Sequence, residues 1–335
     1  MKPEDFSFII PVYNRPEEVK ELLESFVDLS DEKYFEIVIV EDGSTLPSKE
    51  VVESFNDKLN ISYYFKENSG PGDSRNYGMQ RAKGNYFIIL DSDCVLPNNY
   101  LSNVISSLNL EFVDYFGGPD AAHSSFTDLQ KAINFAMTSF ISTGGIRGKS
   151  KSVDEFQPRS FNMGISKVAF EASKGFGRIH PGEDPDLSIR LKKLGYKSKL
   201  IPEVFVCHKR RISWSKFYDQ VYKFGLARGI LNKWHPETKK ITYWFPTIFI
   251  LFFLISVVLY FFNFEWLLLG FAIYFALAFI ISLISNKNIS VATLSVIAIG
   301  LQFFGYGNGF LKSTFYVGLL NKEPEQQFPD LFFKA

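Results

Sequence analysis

Asn85-Tyr-Phe-Ile-Ile-Leu-Asp-Ser-Asp-Cys94 is a run of apolar and aromatic residues that ends in two aspartates one residue apart. Such a run reads as a strand covered on both faces, and open α/β sheets place ligands in the crevice beyond the carboxyl ends of strands of this kind. The reading delivers Asp91 and Asp93 to one place, where two carboxylates repel each other unless a cation lies between them. Mg²⁺ accepts carboxylate oxygens while keeping positions for water or phosphate, so Asp-x-Asp can bridge the chain to a diphosphate. Taken alone, the tripeptide equally suits an exposed turn capped by Asp and Ser. Its neighbours have to decide.

Upstream, Phe6-Ser-Phe-Ile-Ile-Pro-Val-Tyr13 reads as a first strand, followed by a loop with Asn14 and Pro16. Glu17 to Phe26 has the three-and-four spacing of an amphipathic helix in Val19, Leu22, Leu23 and Phe26, with acidic residues at its positive end. Phe35-Glu-Ile-Val-Ile-Val40 is a second strand that stops at Glu41-Asp42-Gly43-Ser44. Strand, helix, strand predicts a parallel pair with a right-handed crossover. A helix over Lys49 to Asn56 leads to the strand Ile61-Ser-Tyr-Tyr-Phe65. Asn68-Ser-Gly-Pro-Gly72 then opens a helix carrying Arg75, Asn76 and Gly78. Its glycines let backbone approach a ligand, and a helix N-terminus attracts phosphate. The Gly-x-Gly-x-x-Gly dinucleotide pattern is not present there.

Four stretches in this order, Ile10-Pro-Val-Tyr-Asn14, Val40-Glu-Asp-Gly-Ser44, Ser74-Arg-Asn-Tyr-Gly78 and Leu90-Asp-Ser-Asp93, resemble the family-2 glycosyltransferases with the GT-A fold. The resemblance covers roughly residues 6 to 210. It implies that Pro11, Tyr13 and Asp42 contact the nucleotide base and ribose, that Arg75 lies near the nucleotide, that Asp91 approaches the ribose, and that Asp93 holds a Mg²⁺ or Mn²⁺ ion on the diphosphate. The sequence departs from the family pattern at Glu41, where Asp is commoner, so Asp42 is taken as the base reader. The resemblance also implies a uridine nucleotide, on family frequency.

Downstream, Tyr115-Phe-Gly-Gly-Pro119 reads as another strand end and Asp128 to Ile141 as a helix. Thr143-Gly-Gly-Ile-Arg-Gly-Lys-Ser-Lys151 is a glycine-rich basic loop, suited either to closing over a diphosphate or to plain solvation. Phe161-Asn-Met-Gly-Ile165 matches the segment that begins the acceptor side of the cleft in the family, which places Asn162 near the acceptor. Gly182-Glu-Asp-Pro-Asp-Leu-Ser-Ile-Arg-Leu-Lys-Lys-Leu-Gly195 is punctuated as a helix, with Asp184 as N-cap, Pro185 at the first position and Gly195 past the end. Capping is a sufficient structural reason for Asp184. The resemblance adds a Glu-Asp pair here, Glu183 on the acceptor side and Asp184 as catalytic base. A strand over Ser198 to Val206 precedes Cys207-His208-Lys209-Arg210-Arg211. There His208 is either a further metal or diphosphate ligand or simply hydrogen-bonded, and the arginines face phosphate or anionic lipid.

The helix Trp214 to Trp234 mixes aromatic and basic residues, as a helix at a membrane interface does, although packing on the domain itself would explain it too. Within it Gln220-Val-Tyr-Lys-Phe224 is a degenerate version of the Gln-x-x-Arg-Trp motif of processive synthases. Net charge is zero, but residues 241–310 contain only Glu265 and Lys287. Spans are expected at about 241–262 and 266–285, each near the roughly 20 residues a bilayer needs. A third apolar segment at about 289–311 is rich in glycine and reads as either a packed or a broken helix. Lys233, Lys239, Lys240 and Lys287 place the catalytic domain on the cytoplasmic face of the cell (inner) membrane. Met1-Lys-Pro-Glu-Asp lacks the features of a signal peptide, and two cysteines support no disulfide framework. Charge counting gives no basic face for nucleic acid.

The expected fold is α/β, a GT-A, Rossmann-like, mostly parallel sheet domain over 1–235, followed by an α-helical transmembrane region over 241–335. Within the first part, 1–115 forms the nucleotide half, 116–210 the acceptor half and 211–235 the interface helix. The expected activity is inverting, metal-dependent transfer of a sugar from a nucleotide-sugar to a hydroxyl of a lipid-linked or cell-surface glycan acceptor. Alternatives are a polyprenyl-phosphate glycosyltransferase, whose phosphate nucleophile needs no base, a processive polysaccharide synthase, and a non-enzymatic membrane scaffold.

Overall fold

The computed structural model describes residues 1–29, 34–121, 126–144, 157–208 and 213–333. In chain order the first elements are β1 (Phe6–Val12), α1 (Pro16–Val27), β2 (Glu36–Asp42), α2 (Lys49–Glu53), β3 (Ile61–Lys66), α3 (Pro71–Arg81), β4 (Tyr86–Leu90), β5 (Cys94–Val95), α4 (Tyr100–Leu110), β6 (Tyr115–Gly117) and β7 (Asp120–Ala121). Next come α5 (Asp128–Thr138), α6 (Phe140–Thr143), β8 (Asn162–Ser166), α7 (Lys167–Ser173), α8 (Glu183–Lys193), β9 (Ser198–Leu200) and β10 (Val206–His208). The chain continues through α9 (Trp214–Trp234), α10 (Phe245–Tyr260), α11 (Trp266–Asn286), α12 (Ile289–Ser313) and the short α13 (Pro324–Gln327). Two compact units result: Met1–His123, Glu155–Lys209 and Phe332–Ala335 form one, Ser124–Asp154 and Arg210–Leu331 the other.

The first unit is built on a seven-stranded sheet of order β3-β2-β1-β4-β8-β6-β9. Its pairs are parallel except those of β8, which runs antiparallel to both β4 and β6. The apolar run of β4 is explained by two cores, because successive strand residues point to opposite faces. Tyr86, Ile88 and Leu90 join Val19, Leu22, Phe26, Tyr100 and Val104 on one face. Phe87 and Ile89 join Met79, Phe170, Leu187 and Leu191 on the other. Fully burying side chains of this size is worth roughly 1.5–3 kcal/mol each, so β4 anchors both layers. Gly78 lets α3 press onto the sheet, since a Cβ there would stand 2.8 Å from Ile9 and 3.2 Å from Val40.

Two expected strands are divided. The stretch from Asn85 ends as β4 at Leu90, turns through Asp91–Asp93, and resumes as β5 in a separate three-stranded sheet, β5-β10-β7. The strand expected over Ser198 to Val206 is likewise β9 and β10, interrupted around Pro202, which has no N–H for a ladder. The helix expected to begin with Asp184 as its cap instead starts at Glu183. Its N-cap is Gly182, at φ +129°, where glycine alone turns without strain. Pro185 is therefore the third helical residue.

In the second unit, three helical stretches among the described residues are long and apolar enough to cross a membrane: Ile241–Tyr260, Trp266–Asn286 and Ile289–Leu319. The glycines of the third do not break it. α12 continues without interruption into a π-helical turn over Thr314–Leu319. They serve close packing instead: a Cβ on Gly305 would meet Val221 at 2.5 Å, and one on Gly309 would meet the Tyr222 carbonyl at 2.2 Å. From the other side, a Cβ on Gly225 would meet the Tyr306 carbonyl at 2.2 Å, and one on Gly229 the Ser313 hydroxyl at 2.0 Å. Thus α9, read as an interface helix, lies backbone-to-backbone on α12 through small residues four apart on both partners. Overpacking such a contact costs about 1–3 kcal/mol. Gly309→Val is therefore expected to lower the thermal unfolding midpoint in detergent clearly more than Gly300→Val, whose Cβ would meet nothing within 4 Å. Equal shifts in the two variants would refute the packing role.

Candidate active site

The strand order changes direction between β1 and β4, and the carboxyl ends of those strands frame a crevice. From β1 come Pro11 and, just beyond its end, Tyr13, which is 53% exposed. Asn14 follows at φ +55°; its backbone N–H donates to Ser44 Oγ, and its Oδ1 accepts from the Leu46 N–H. From β2 comes Asp42, only 4% exposed. Its Oδ1 accepts from Lys66 Nζ at 2.7 Å and the Ser69 N–H at 3.0 Å, and its Oδ2 accepts from the Gly70 N–H at 2.9 Å. Asp42 thus organises the loop that opens α3. Glu41 is buried beside it and accepts from the Ser44 hydroxyl, the Ser48 N–H and the Tyr63 hydroxyl. The longer Glu side chain reaches these donors from the strand end.

Arg75 joins the two ends of the site. Its guanidinium is buried, with Nη2 donating to Asp91 Oδ1 at 2.9 Å and Nη1 to Glu183 Oε1 at 3.1 Å, over the Phe176 ring at 5.3 Å. Glu183 Oε1 also meets His180 Nδ1 at 2.9 Å, and its Oε2 accepts from the Gly182 N–H. Burial opposes ionisation of Glu183, but His180 and Arg75 outweigh it and pull its pKa down to about 2. Asp184 moves the other way: burial and the Glu183 charge raise it against the pull of Arg75, Arg159 and a hydrogen bond to Ser160. Its buried Oδ1 has no hydrogen-bond partner.

Asp93 is ion-paired with Arg15, from the loop after β1. His208 is placed only by its backbone, which pairs with Cys94 and so stands beside the Asp-x-Asp turn; its side chain lies outside the described residues, as do Arg210, Arg211 and the basic loop from residue 145 onward. Asn162 is fully buried, accepting from the Tyr100 hydroxyl and donating to the Val204 carbonyl at 2.8 Å, so its amide ties β8 to two neighbours. Among the described residues no three His, Cys, Asp or Glu side chains converge as a metal cluster. A cation on a diphosphate needs only one or two carboxylates, and Asp93 already has a cationic group on it, so the donor set fits Mg²⁺ or Mn²⁺. Two site residues escaped the sequence reading. Arg15 could have been found from its place directly after the first strand motif. His180 had only its spacing of three from Glu183.

Replacing Arg75 by Met takes the counter-charge from Asp91 and leaves the buried Glu183 with His180 alone, and removing one partner of a buried ion pair costs about 3–5 kcal/mol. Denaturant unfolding in detergent is expected to show that loss, with partial recovery in the Arg75→Met/Glu183→Gln double variant. The pH dependence has two limbs. Burial lowers and Glu183 raises the His180 pKa, with a net rise above 6.5, although 44% of its side chain is exposed and screened. That stability is present below 6.5 and lost as pH climbs through the raised value. Glu183, lowered from 4.5, stabilises above 4.5 and loses its effect as pH falls toward 2. His180→Gln should flatten the alkaline limb of the midpoint-versus-pH curve.

A profile described as Glycosyl transferase family 2 matches residues 7–172. An uncharacterized glycosyltransferase of Rickettsia typhi is 38% identical over 103 residues, 31% of this chain and 31% of that protein. The poly(ribitol-phosphate) beta-N-acetylglucosaminyltransferase TarS of Staphylococcus aureus is 37% identical over 107 residues, 31% of this chain and 19% of that protein. The matched part thus spans under a third of these curated relatives. Among solved structures, the mannosyltransferase PcManGT from Pyrobaculum calidifontis, in complex with GDP-Man and Mn²⁺, has the same fold, with a TM-score of 0.56 at 15% identity over 96% of this chain and 89% of that one. The motifs at the ends of β1, β2 and β4, the mostly parallel sheet and these likenesses agree: residues 7–172 are a glycosyl transferase family 2 domain of GT-A fold, in a chain that continues into three long apolar helices.

Proposed function

We propose that the protein is a membrane-anchored inverting glycosyltransferase that moves a sugar from a nucleotide-sugar, a UDP-sugar by family frequency, to a hydroxyl of a lipid-linked or cell-surface glycan. The observation that carries the reading is the buried Arg75 bridge between Asp91, at the end of β4, and Glu183, at the start of α8. It ties the nucleotide side of the crevice to the pair Glu183-Asp184.

The residues divide the work. Pro11 and the exposed ring of Tyr13 offer the nucleotide an apolar wall, Asp42 reads the base with the lone pairs its loop contacts leave over, and Asp91 and Arg75 lie along the ribose. Asp93, with His208 beside it, would hold Mg²⁺ or Mn²⁺, and the ion when bound neutralises the departing diphosphate. Asp184 is the base. An acceptor hydroxyl must give up its proton as its oxygen attacks the anomeric carbon, and a carboxylate of raised pKa with an unpartnered oxygen is suited to take it. Glu183, held ionised by Arg75 and His180, keeps Asp184 basic. A single base and a single displacement invert the anomeric centre. Asn162 shapes the acceptor side from beneath, through Tyr100 and the Val204 carbonyl.

Exposed Leu251, Phe252, Leu254, Ile255, Ile273, Leu277 and Ile280 on the two helices before the third support burial in lipid. Lys233, Lys239, Lys240 and Lys287 orient the site to the cytoplasm, at the inner membrane. A membrane address suits an acceptor carried on lipid.

Nucleoside diphosphate release by the detergent-solubilised protein, across a panel of nucleotide-sugars with Mg²⁺ or Mn²⁺, tests the reading. Release from one donor should fall at least 100-fold in Asp93→Ala and in Asp184→Asn, general-base loss being worth about 10²–10⁴. Loss in Asp93→Ala alone would point to a phosphate nucleophile, as in polyprenyl-phosphate transferases. No release and no metal-dependent nucleotide binding would refute an enzymatic role.

A further inference from the structure

Asp91 and Asp93 stand one residue apart, yet their counter-ions differ in kind. Arg75, on Asp91, has 4% of its side chain exposed and holds the buried Glu183 as well, so leaving Asp91 would disturb that carboxylate too. Arg15, on Asp93, has 39% of its side chain exposed, and among the described residues its only ion pair is with Asp93. One cation is built in and the other is displaceable. Arg15 Nη1 contacts Asp93 Oδ2, so a guanidinium and a metal ion cannot both occupy that oxygen.

We propose that Arg15 is a diphosphate-binding residue that neutralises Asp93 in the donor-free protein and exchanges that carboxylate for phosphate oxygens when a divalent cation and a nucleoside diphosphate enter. This rests on the reading of Asp93 as the metal-holding carboxylate. The displaced side chain stays close, because its backbone is pinned between Asn14, which is hydrogen-bonded to Ser44 and Leu46, and Pro16 at the start of α1. A cation on Asp93 repels the guanidinium and binds the phosphate oxygens that attract it. The planar fork of arginine matches phosphate in a bidentate manner that lysine cannot copy. A metal ion arriving alone must evict Arg15 with nothing offered in return, whereas metal and nucleotide together give it a new partner. Arg15 therefore couples the two bindings, and by linkage the coupling is reciprocal.

The test reads binding rather than turnover. Free Mn²⁺ is followed by electron paramagnetic resonance in the full-length protein, alone and with UDP or GDP, in wild type, Arg15→Gln, Arg15→Lys and Asp93→Asn. Either nucleotide should tighten Mn²⁺ binding at least tenfold in wild type. Arg15→Gln should bind Mn²⁺ alone several-fold more tightly than wild type, yet bind the nucleotide at saturating Mn²⁺ at least tenfold more weakly. Arg15→Lys, which keeps the charge, should leave the affinity for Mn²⁺ alone near wild type while still weakening the nucleotide. Unchanged Mn²⁺ affinity in Arg15→Gln, or unchanged nucleotide affinity, overturns the proposal while leaving the metal reading intact. Asp93→Asn binding Mn²⁺ as wild type does would instead remove the metal reading itself.

Discussion

Every carboxylate drawn into the crevice of this domain has to be matched by a donor or a cation, and that constraint shapes the site. Asp42 takes Lys66 and two backbone N–H groups, Asp91 and Glu183 share Arg75, Glu183 adds His180, and Asp93 takes Arg15. Taking a charge out of water costs several kcal/mol unless such partners repay it. The pairs therefore determine where loops can run: the segment after β3 folds back onto Asp42, and the turn before α8 is held against α3. Asp184 is the exception, with one buried oxygen lacking a partner and a pKa pushed upward. A group kept short of partners retains its affinity for a proton.

The sheet explains why these groups meet. β1 and β4 lie side by side and parallel, and the crossovers before β2 and before β4 leave on opposite sides of β1, so their carboxyl ends open onto a common gap. Alternate residues of both strands enter different cores, which locks register on two faces at once. Arg15 and Asp93, far apart in the chain, meet because each follows one of these strands. Glu183 arrives from the opposite face on α8, whose Leu187 and Leu191 enter the second core.

The second unit relies on a different economy. Beside a buried apolar cluster that includes Phe217, Val221 and Phe303, it uses close backbone approach between helices, the contact that also serves helices in apolar surroundings. Gly225 and Gly229 on α9 and Gly305 and Gly309 on α12 remove the side chains that would keep the axes apart. Elsewhere polar pairs are enclosed between helices, as with Ser282 and Ser295 at 2.8 Å and Thr247 on the Gly307 carbonyl at 3.0 Å.

Much of this could be read along the chain, because it depends on short-range pattern. The apolar run ending at Asp91 and Asp93, the alternation of strand and helix up to it, and the uncharged stretches after Lys240 each express a local periodicity or a length. Family motifs added the fold and singled out Asp42, Arg75 and Asp184 as candidates. What the pattern could not contain were the pairings. Asp184 is not the cap of its helix because Gly182, at a backbone angle open to glycine, turns the chain first. Asn162 carries hydrogen bonds from the Tyr100 hydroxyl and to the Val204 carbonyl, partners that lie far from it in the chain. The glycines of α12 suited either a close contact or a break, and they mark a contact, since the reason for them lies on another helix. Counter-ions such as Arg15 and His180 show in the sequence at most a place or a spacing, not the carboxylate they pair with. The sequence by itself determined which segments are strands, helices and apolar spans, since these follow from neighbouring residues. Only the tertiary structure decided which charge answers which, because a buried ion pair is defined by distance in space and by the water excluded around it.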